Sequence, residues 1–306
     1  MSIEQKFILT GDLNFMGLGD AKHVFKRIRS ELWAADAVIS NLECCFFADE
    51  SKTNNQSSTG HLYERSGQRE GFYAQPAAAE ALKAANITMV GNANNTNFGD
   101  EAIRSTIAVL NDQQIAFSGV GTNWEEACQP ALKTINGIRV GLIQRTSVYW
   151  PSNHEASTSH PGVATVKIHT AYSPKIDGYA SNRPGTPPDI HTWADKKYLK
   201  DLVTQIHKLR ETTDILIISF HWGYKEEILD YMREIAHAAI DAGADIILGH
   251  GPHMPLPMEI YKSKPIFYGV GSFVFHNGHR GKVRGNWAGT ISRVTLQDKK
   301  FKYFGF

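Results

Sequence analysis

The chain has few cysteines and no extended apolar segment, and these absences exclude several classes of protein. Only three cysteines occur in 306 residues, two of them adjacent as Cys44 and Cys45, which argues against a disulfide framework and a cysteine-rich zinc site. No apolar run approaches the ~18 residues of a membrane-spanning helix, and the N-terminus lacks the basic and apolar regions of a signal peptide. We therefore expect a cytoplasmic protein without an integral membrane segment.

The chain also lacks a strong net charge of either sign. Its formal charge at pH 7 is +1, which gives no general field that would attract nucleic acid, so no nucleic-acid partner is expected. A phosphate-binding P-loop is missing too, because the stretches "GVGTNW" and "GVGSF" are not followed by Gly-Lys-Ser or Gly-Lys-Thr. Recognition of anions must therefore come from local clusters of basic side chains.

Short apolar, β-branched runs alternate with segments of helical period. The runs include "FILTG", "AVISNLE", "ITMVGN", "RVGLIQ", "DILIISF" and "ADIILG", and helical periodicity covers residues 21–35, 76–85, 101–113, 194–211 and 226–242. This alternation predicts an α/β protein whose helices cover sheet faces. The pair Asn136-Gly137 predicts a hairpin, and thus a mixed sheet. We expect a single domain over residues 1–306, with stretches 48–72 and 173–188 as long surface loops rather than domain linkers.

Side chains that can bind metal follow five of the apolar runs at the point where each strand ends. Singly, each is also typical of a turn or a polar loop. In open α/β sheets, however, side chains beyond the carboxyl ends of the strands converge on one crevice. Oxygen and imidazole ligands without thiolate suit Zn, Mn, Fe or Mg, and their number predicts two divalent ions bridged by a carboxylate. The candidates are Asp12, Asn41, Glu43, Asn92, Asn94, Asn95, His221, His250 and His253.

Several motifs occur in a specific order along nearly the whole chain: "TGD", "NLE", "GNANN", "HWG", "GHGPH" and "IFYGVGSF". Together they resemble the bacterial CapA family of poly-γ-glutamate (capsule) synthesis proteins, of the calcineurin-like metallophosphoesterase superfamily. The resemblance implies an α/β (α+β) fold, a four-layer αββα sandwich of two mixed β-sheets flanked by helices. The metal-binding roles that it implies are Asp12 on one ion, Glu43 as the bridge, Asn95 and His221 on the second ion, and His250 and His253 completing the two sites.

The sequence departs from the family pattern in three places. Thr96 stands where phosphoesterases of this superfamily have the histidine that acts as general acid, and a threonine hydroxyl cannot supply a proton in that way. Asn14 stands in place of the histidine of the "DxH" pattern that begins at Asp12, so the first metal site has fewer ligands. Ser272 replaces the asparagine of the family's "GNF" motif. The missing acid predicts that Thr96→His raises any phosphodiesterase rate.

Other candidate functional residues lie in or beside loops that follow core strands. The run "FHNGHRGKVRG" is basic and has no acidic residue, which suits either an anion clamp or an ordinary solvated loop. The aromatic candidates either line the cleft or belong to the core. The predicted catalytic residues are His154, His279 and Arg280, and the predicted substrate-binding residues are Arg145, Tyr149, Trp222 and His276.

These observations predict a metal-dependent hydrolase that uses activated water on a phosphoester or a related bond. The resemblance adds poly-γ-glutamate biosynthesis as the context and an anionic small molecule or polymer as the partner. One alternative is a non-catalytic accessory protein that holds an anionic polymer, which Thr96 favours because loss of the acid damages turnover more than binding. A second alternative is an enzyme that acts on a small soluble metabolite.

Overall fold

The computed structural model describes residues 4–19, 21–48, 68, 70–176, 183–278 and 287–306. These residues form nineteen strands and six α-helices. The strands are β1 (Glu4–Asn14), β2 (Ala37–Leu42), β3 (Cys45–Phe46), β4 (Tyr73–Ala74), β5 (Ile87–Gly91), β6 (Ala116–Ser118), β7 (Val120–Gly121), β8 (Ala131–Ile135), β9 (Ile138–Thr146), β10 (Gly162–Val163), β11 (Ile168–Ser173), β12 (Asp189–Ala194), β13 (Ile215–His221), β14 (Ile246–His250), β15 (Met258–Tyr261), β16 (Lys264–Phe267), β17 (Ser272–Phe275), β18 (Ser292–Gln297) and β19 (Lys300–Gly305). The α-helices are α1 (Arg29–Trp33), α2 (Glu80–Ala84), α3 (Asp100–Asp112), α4 (Trp124–Ala127), α5 (Lys196–Arg210) and α6 (Asp230–Asp241).

Most strands belong to two large mixed sheets. The first sheet has the order β19-β18-β1-β2-β5-β6, with β17 paired to the end of β1, and the second has the order β15-β16-β14-β13-β9-β8. The central strands of each sheet run parallel, whereas outer strands such as β18, β15 and β8 run antiparallel to their neighbours. The carboxyl ends of the parallel strands therefore lie at one edge of each sheet.

The two sheets pack face to face, and helices cover both outer faces. Ile39 of the first sheet and Ile217 of the second belong to one buried apolar layer between the sheets. Leu82 of α2 packs in the layer outside the first sheet, and Ile206 of α5 and Ile235 of α6 pack in the layer outside the second. The four-layer αββα sandwich of two mixed sheets is therefore confirmed.

Alternation along β13 positions one of the predicted ligands. All seven residues of this strand are buried, as expected for a parallel strand covered on both faces. Ile215 and Ile217 face the layer between the sheets, while Leu216 and Ile218 face the helices. Because side chains alternate with a period of two, His221 points to the same side as Ile217, toward the other sheet.

A β-bulge turns Asp12 in the same direction. The register between β1 and β2 shifts by one residue between Leu9 and Asp12, so that Asp12 pairs with Asn41. Strict alternation from Leu9, which faces the layer between the sheets, would point Asp12 outward, and the extra residue reverses this. Gly11 lies in the bulge, where a Cβ atom would be only 1.8 Å from the carbonyl oxygen of Gly271.

Other predicted elements are largely confirmed. The predicted helices at 101–113, 194–211 and 226–242 correspond to α3, α5 and α6, whereas residues 21–35 contain a 3-10 turn at Ala21–His23 and the short α1. Asn136 and Gly137 join β8 to β9 with positive φ angles of 47° and 81°, as a two-residue hairpin turn requires. The stretch 173–188 separates the antiparallel strands β11 and β12, but residues 177–182 lie outside the described part of the chain, as does most of the stretch 48–72. Among the described residues, none of the helices has the length and apolar character needed to cross a membrane.

Candidate metal centre

Five of the six residues to which the family resemblance assigns metal-binding roles lie at the carboxyl edge where the two sheets meet. Asp12 lies near the end of β1 and Glu43 directly follows β2. His221 and His250 end adjacent parallel strands and are paired in register, and His253 follows in the next loop. The first four are at most 2% exposed, so their polar atoms must find partners inside the protein.

The shortest contacts centre on Asp12. His250 Nδ1 lies 3.4 Å from Asp12 Oδ1, and His253 Nδ1 lies 3.2 Å from Asp12 Oδ2. Asn41 Nδ2 donates a hydrogen bond of 2.8 Å to Asp12 Oδ1. His253 also reaches Glu43, with 3.8 Å between Nε2 and Oε1. Asp12, Glu43 and His253 thus offer three ligand atoms within 4.8 Å of one another, the spacing of a candidate cation site.

Burial disfavours the charged forms of the side chains in this cluster. It acts to raise the pKa of Asp12, but the adjacent imidazoles of His250 and His253 outweigh it, so this pKa lies well below its ordinary value. Burial and the adjacent Asp12 raise the pKa of Glu43 well above its ordinary value. Burial also lowers the pKa of His221 to about 3. A divalent cation would offset the repulsion between the two carboxylates and the cost of burying them.

Several buried ligand atoms have no hydrogen-bond partner within the described residues. An unpartnered buried polar atom is uncommon and costs about 1–3 kcal/mol. Carboxylate, amide and imidazole groups without thiolate are suitable ligands for Zn, Mn, Fe or Mg. The residues present therefore fit divalent cations. The unpartnered atoms are Asp12 Oδ2, Glu43 Oε2, Asn95 Oδ1, His221 Nδ1 and both ring nitrogens of His250.

The loop after β14 presents His253 in a strained but well-supported conformation. Its φ is 58°, a left-handed backbone that costs of order 1 kcal/mol or more for a residue with a side chain. The ring stacks on Trp287, with centroids 4.1 Å apart and planes within 4°, and Nδ1 lies 3.1 Å from Ser272 Oγ. Gly251, with φ 111°, provides the turn that His253 needs. The "GHGPH" motif therefore directs two imidazoles to one place.

The loop after β5, which contains Asn95, is fastened to the end of β2. Asn94 Nδ2 donates to the carbonyl oxygen of Leu42 at 2.8 Å, and Gln68 Nε2 donates to the carbonyl oxygen of Asn95 at 2.8 Å. Thr96 is 1% exposed, and its hydroxyl lies 3.0 Å from both the carbonyl oxygen of Glu43 and Asn94 Oδ1. Thr96 therefore supports the backbone of Glu43, and its hydroxyl is already engaged.

His154 is the only predicted catalytic residue that falls within the described residues, since His279 and Arg280 lie outside them. It is 1% exposed, and its Nε2 lies 2.8 Å from the carbonyl oxygen of Asn97. A carbonyl oxygen only accepts, so the proton of the neutral ring is on Nε2 and Nδ1 keeps its lone pair. Burial lowers the pKa of His154 to about 4. The neutral ring therefore carries no proton on Nδ1, and a catalytic role for His154 stays a prediction.

Two predicted substrate-binding residues lie away from the cluster. Side chains alternate along β9, so Gln144 points toward the other sheet and Arg145 points toward the helices. The guanidinium of Arg145 donates there to Gln205 of α5. Trp222 is fully buried, stacks on Tyr268 and donates through Nε1 to the carbonyl oxygen of Tyr268 at 2.9 Å. Both predictions are corrected, because these side chains belong to the layer between the second sheet and its helices.

The other two predicted substrate-binding residues remain near the site edge. Tyr149 is half-buried in the loop that follows β9, and burial raises the pKa of its hydroxyl. His276 is exposed directly after β17, a strand that runs parallel to the end of β1. Parallel pairing brings His276 to the same edge as Asp12, where it is open to a solvent-borne molecule.

Sequence reasoning missed Gln144, a buried amide that contacts the cluster through Asn41. Its Nε2 donates to Asn41 Oδ1 at 2.9 Å, and its Oε1 accepts from the backbone N–H of Ala93 at 2.6 Å. The available signal was a single amide in the otherwise apolar strand "RVGLIQ". A buried polar side chain in such a strand needs specific partners.

Comparison with known proteins identifies several relatives. The chain is 25% identical over 264 residues to the capsule biosynthesis protein CapA of Bacillus anthracis, covering 84% of this chain and 54% of that protein. It is 26% identical over 257 residues to the PGA biosynthesis protein CapA of Bacillus subtilis, covering 81% and 59%. A Mycobacterium tuberculosis relative, 27% identical over 248 residues and covering 79% and 56%, is named a probable polyglutamine synthesis accessory protein. The chain thus spans little more than half the length of these relatives.

Solved structures and a family model complete the comparison. A structure described as a novel phosphatase from Mycoplasma pneumoniae matches with a TM-score of 0.55 and 16% identity, covering 100% of this chain and 93% of that one. A hypothetical protein from Thermus thermophilus matches with a TM-score of 0.51 and 13% identity, covering 98% and 97%. At these identities the likeness concerns the fold. The family model described as "Bacterial capsule synthesis protein PGA_cap" matches residues 6–277, so the chain belongs to this family.

Proposed function

We propose that the chain is a metal-dependent hydrolase that cleaves a phosphoester or related bond of an anionic substrate, in the synthesis of capsule or poly-γ-glutamate. The observation that carries this proposal is the convergence of four buried side chains, Asp12, Glu43, His221 and His250, each with a ligand atom that lacks a hydrogen-bond partner, beside the half-buried His253. Two divalent cations, Zn, Mn, Fe or Mg, would act there as Lewis acids and activate water.

The surrounding residues would divide the remaining tasks. Asp12, His250 and His253, whose ring nitrogens lie 3.4 and 3.2 Å from the Asp12 carboxylate, would hold one cation, and Glu43, which adjoins Asp12, would be the shared carboxylate. His221 and Asn95 are the proposed ligands of the second cation, in line with the family resemblance. His154 would accept a proton through Nδ1, because its Nε2–H is held by a carbonyl oxygen. These are tasks of positioning and proton transfer, which hydrolysis requires.

A second candidate function is supported by Thr96. Its hydroxyl is buried and engaged with the Glu43 carbonyl group, so this position offers no acid for a leaving group. A protein that binds an anionic polymer without cleaving it has no need of that acid. The name of the Mycobacterium tuberculosis relative, an accessory protein of polyglutamine synthesis, is compatible with such a role.

Metal analysis followed by an activity screen would separate the two functions. The protein is purified without chelator, its Zn, Mn, Fe and Mg contents are measured, and phosphomonoesters and phosphodiesters are tested with added Mn²⁺ or Zn²⁺. The hydrolase proposal predicts bound metal and a turnover that chelator treatment abolishes. Bound metal without turnover, together with retention of poly-γ-glutamate on the protein, would support the accessory role. Absence of both metal and turnover would overturn the hydrolase proposal.

A further inference from the structure

Gln144 is a fully buried amide of β9 that links the two sheets next to the metal centre. Its Oε1 accepts the backbone N–H of Ala93, which follows β5 of the first sheet, at 2.6 Å. Its Nε2 donates to Asn41 Oδ1 at 2.9 Å and to Ser219 Oγ at 3.3 Å. Both the oxygen and the NH₂ group of this amide are therefore hydrogen-bonded. Asn41 in turn donates to Asp12, so Gln144 is connected to a proposed metal ligand through Asn41.

The direction of these hydrogen bonds is fixed by the groups at the two ends. The backbone N–H of Ala93 only donates, so the Gln144 oxygen must face it and the Gln144 NH₂ group must face Asn41. Asn41 then presents its oxygen to Gln144 and its NH₂ group to Asp12, whose ionised carboxylate only accepts. A flip of either amide would set two donors or two acceptors against each other. Only one arrangement of donors and acceptors is therefore possible between Ala93 and Asp12.

Two glycines make room for this arrangement. A Cβ atom on Gly91 would lie 2.2 Å from Gln144 Cδ, and one on Gly119 would lie 3.1 Å from Gln144 Oε1. At Gly91 any side chain would displace the amide, because 2.2 Å is far inside van der Waals contact. The backbone around Gln144 is thus shaped to admit a side chain from the opposite sheet, and packing holds the amide in place.

We propose that Gln144 is a positioning residue of the metal centre. It fixes the orientation of the Asn41 amide, which occupies Asp12 Oδ1, so that Asp12 Oδ2, which has no hydrogen-bond partner and lies 3.2 Å from His253 Nδ1, would be available to a cation. The part of this inference that concerns the cation rests on the proposed function. The orientation of Asn41 does not, and it is testable in metal-free protein.

The first test measures the side-chain amide of Asn41 by NMR in ¹⁵N-labelled protein treated with chelator. Gln144→Met has a similar length and no hydrogen-bond donor, so Asn41 Oδ1 loses its 2.9 Å donor and keeps only the longer hydrogen bond of 3.3 Å from Asn94 Nδ2. The Nδ2 resonances of Asn41 should shift, and their exchange with water should become about tenfold faster. Ser219→Ala removes the other partner of Gln144 Nε2 and should leave Asn41 as in the wild type. An Asn41 amide that is unchanged in Gln144→Met would overturn the proposal.

Gln144→Glu is a second variant in case Gln144→Met does not fold. An ionised carboxylate still accepts the N–H of Ala93 but cannot donate to Asn41, whereas a protonated carboxyl could, so the spectra are recorded at a pH at which the carboxyl ¹³C resonance shows the ionised form. The expected result is again a shift and faster exchange of the Asn41 amide. Wild-type exchange at Asn41 in a folded Gln144→Glu protein would also contradict the proposed role.

The second test is a double-mutant cycle on metal affinity. Titration calorimetry with Mn²⁺ compares the wild type, Gln144→Met, Asn41→Ala and the double variant. Loss of a group that orients a ligand typically weakens binding 10–100-fold. If Gln144 acts through Asn41, the double variant should bind no more weakly than the weaker single variant. If the two single losses of affinity multiplied in the double variant, Gln144 would not act through Asn41, and the proposal would be refuted. A wild type that binds neither Mn²⁺ nor Zn²⁺ would refute the proposed function, and the NMR result alone would then decide whether Gln144 orients Asn41.

Discussion

Asp12 Oδ1 lies 3.4 Å from His250 Nδ1, although the two residues belong to strands of different sheets. Both side chains are completely buried. Their distance is therefore set by the packing of one sheet on the other, through the apolar layer that the sheets share. The candidate metal centre therefore depends on the packing of both sheets, and replacement of single proposed ligands should affect metal binding more than folding.

His221→Ala is the most direct test of the ligand assignment. His221 is 2% exposed, and its Nδ1 has no partner among the described residues. We expect loss of about half or more of the bound metal and loss of hydrolase activity, because a two-ion site needs both sets of ligands. Metal content is measured by elemental analysis, and activity with the substrate found in the screen.

The matched control for this variant is His160→Ala. His160 is exposed and its ring contacts only nearby serines in the described part of the chain, such as Ser157. This control should retain metal and activity at wild-type levels. Full metal stoichiometry in His221→Ala would show that the ligand assignment is wrong.

His154→Gln tests the proton acceptor. Glutamine can still donate to the carbonyl oxygen of Asn97, but its basicity is far lower than that of imidazole. We expect kcat to fall by about 10²-fold or more, with KM and metal content unchanged. His191→Gln, an exposed histidine of the β11–β12 ribbon, serves as the control. A kcat equal to that of the wild type would remove His154 from the mechanism.

Thr96→Val should lower the stability of the protein by about 1–3 kcal/mol. The change keeps the shape and deletes the hydroxyl, so the carbonyl oxygen of Glu43 loses its 3.0 Å donor. Chemical denaturation measures the loss, and Thr96→Ser, which keeps the hydroxyl, should be less affected. In Thr96→His the larger side chain must fit a buried site, so we expect a lower melting temperature rather than a higher rate. If this variant were faster than the wild type, the missing general acid at position 96 would be the feature that limits the rate.

Asp214 should stabilise the protein at neutral pH and lose this effect in acid. Hydrogen bonds from the side chain and backbone of Arg139, followed by Lys299, hold the pKa of Asp214 well below its ordinary value. A carboxyl with a lowered folded pKa stabilises the protein above its unfolded pKa of about 3.9 and loses that contribution as the pH falls further. Asp214→Asn should therefore cost about 1 kcal/mol at pH 7 and much less near pH 2. Urea denaturation at both pH values checks this, and an equal cost at the two would contradict it.

Gly11→Ala should disrupt the bulge of β1. The added Cβ would lie 1.8 Å from the carbonyl oxygen of Gly271, so backbone must move, at a cost of about 1–3 kcal/mol or more. Gly19→Ala is the control, because its Cβ would meet no atom within 4 Å. Thermal unfolding and metal titration compare the two variants. If Gly11→Ala matched the control in both, the bulge would not determine the direction of Asp12.

The fold and the edge that carries the site were predictable because apolar runs mark strands and parallel strands end together. His221 and His250 follow from this rule alone. The bulge next to Gly11 was not predictable, since nothing in "ILTGD" reveals a register shift. Without it, the alternation in β1 would point Asp12 away from the other sheet. The strand-end rule therefore predicted Asp12 as a ligand at the correct edge of the sheet, but the direction of its side chain depends on the bulge.

Side-chain direction explains the failed predictions. Arg145 follows Gln144 at the end of one strand, and Trp222 follows His221 at the end of another. In each pair one residue faces the other sheet and its neighbour faces the helices. A sequence shows that a polar or aromatic residue is near a strand end, but the face it occupies depends on which apolar positions pack between the sheets. That choice is made by tertiary packing.

The separation of the ligands along the chain has a consequence for biosynthesis. Asp12 and Glu43 precede His221, His250 and His253 in the chain and therefore leave the ribosome before them. Until β14 has formed beside β13, the two carboxylates have no neighbouring imidazole of that sheet with which to share a cation. Under the proposed function, metal capture would therefore follow the synthesis of β14, and a nascent chain released before His221 should carry no metal.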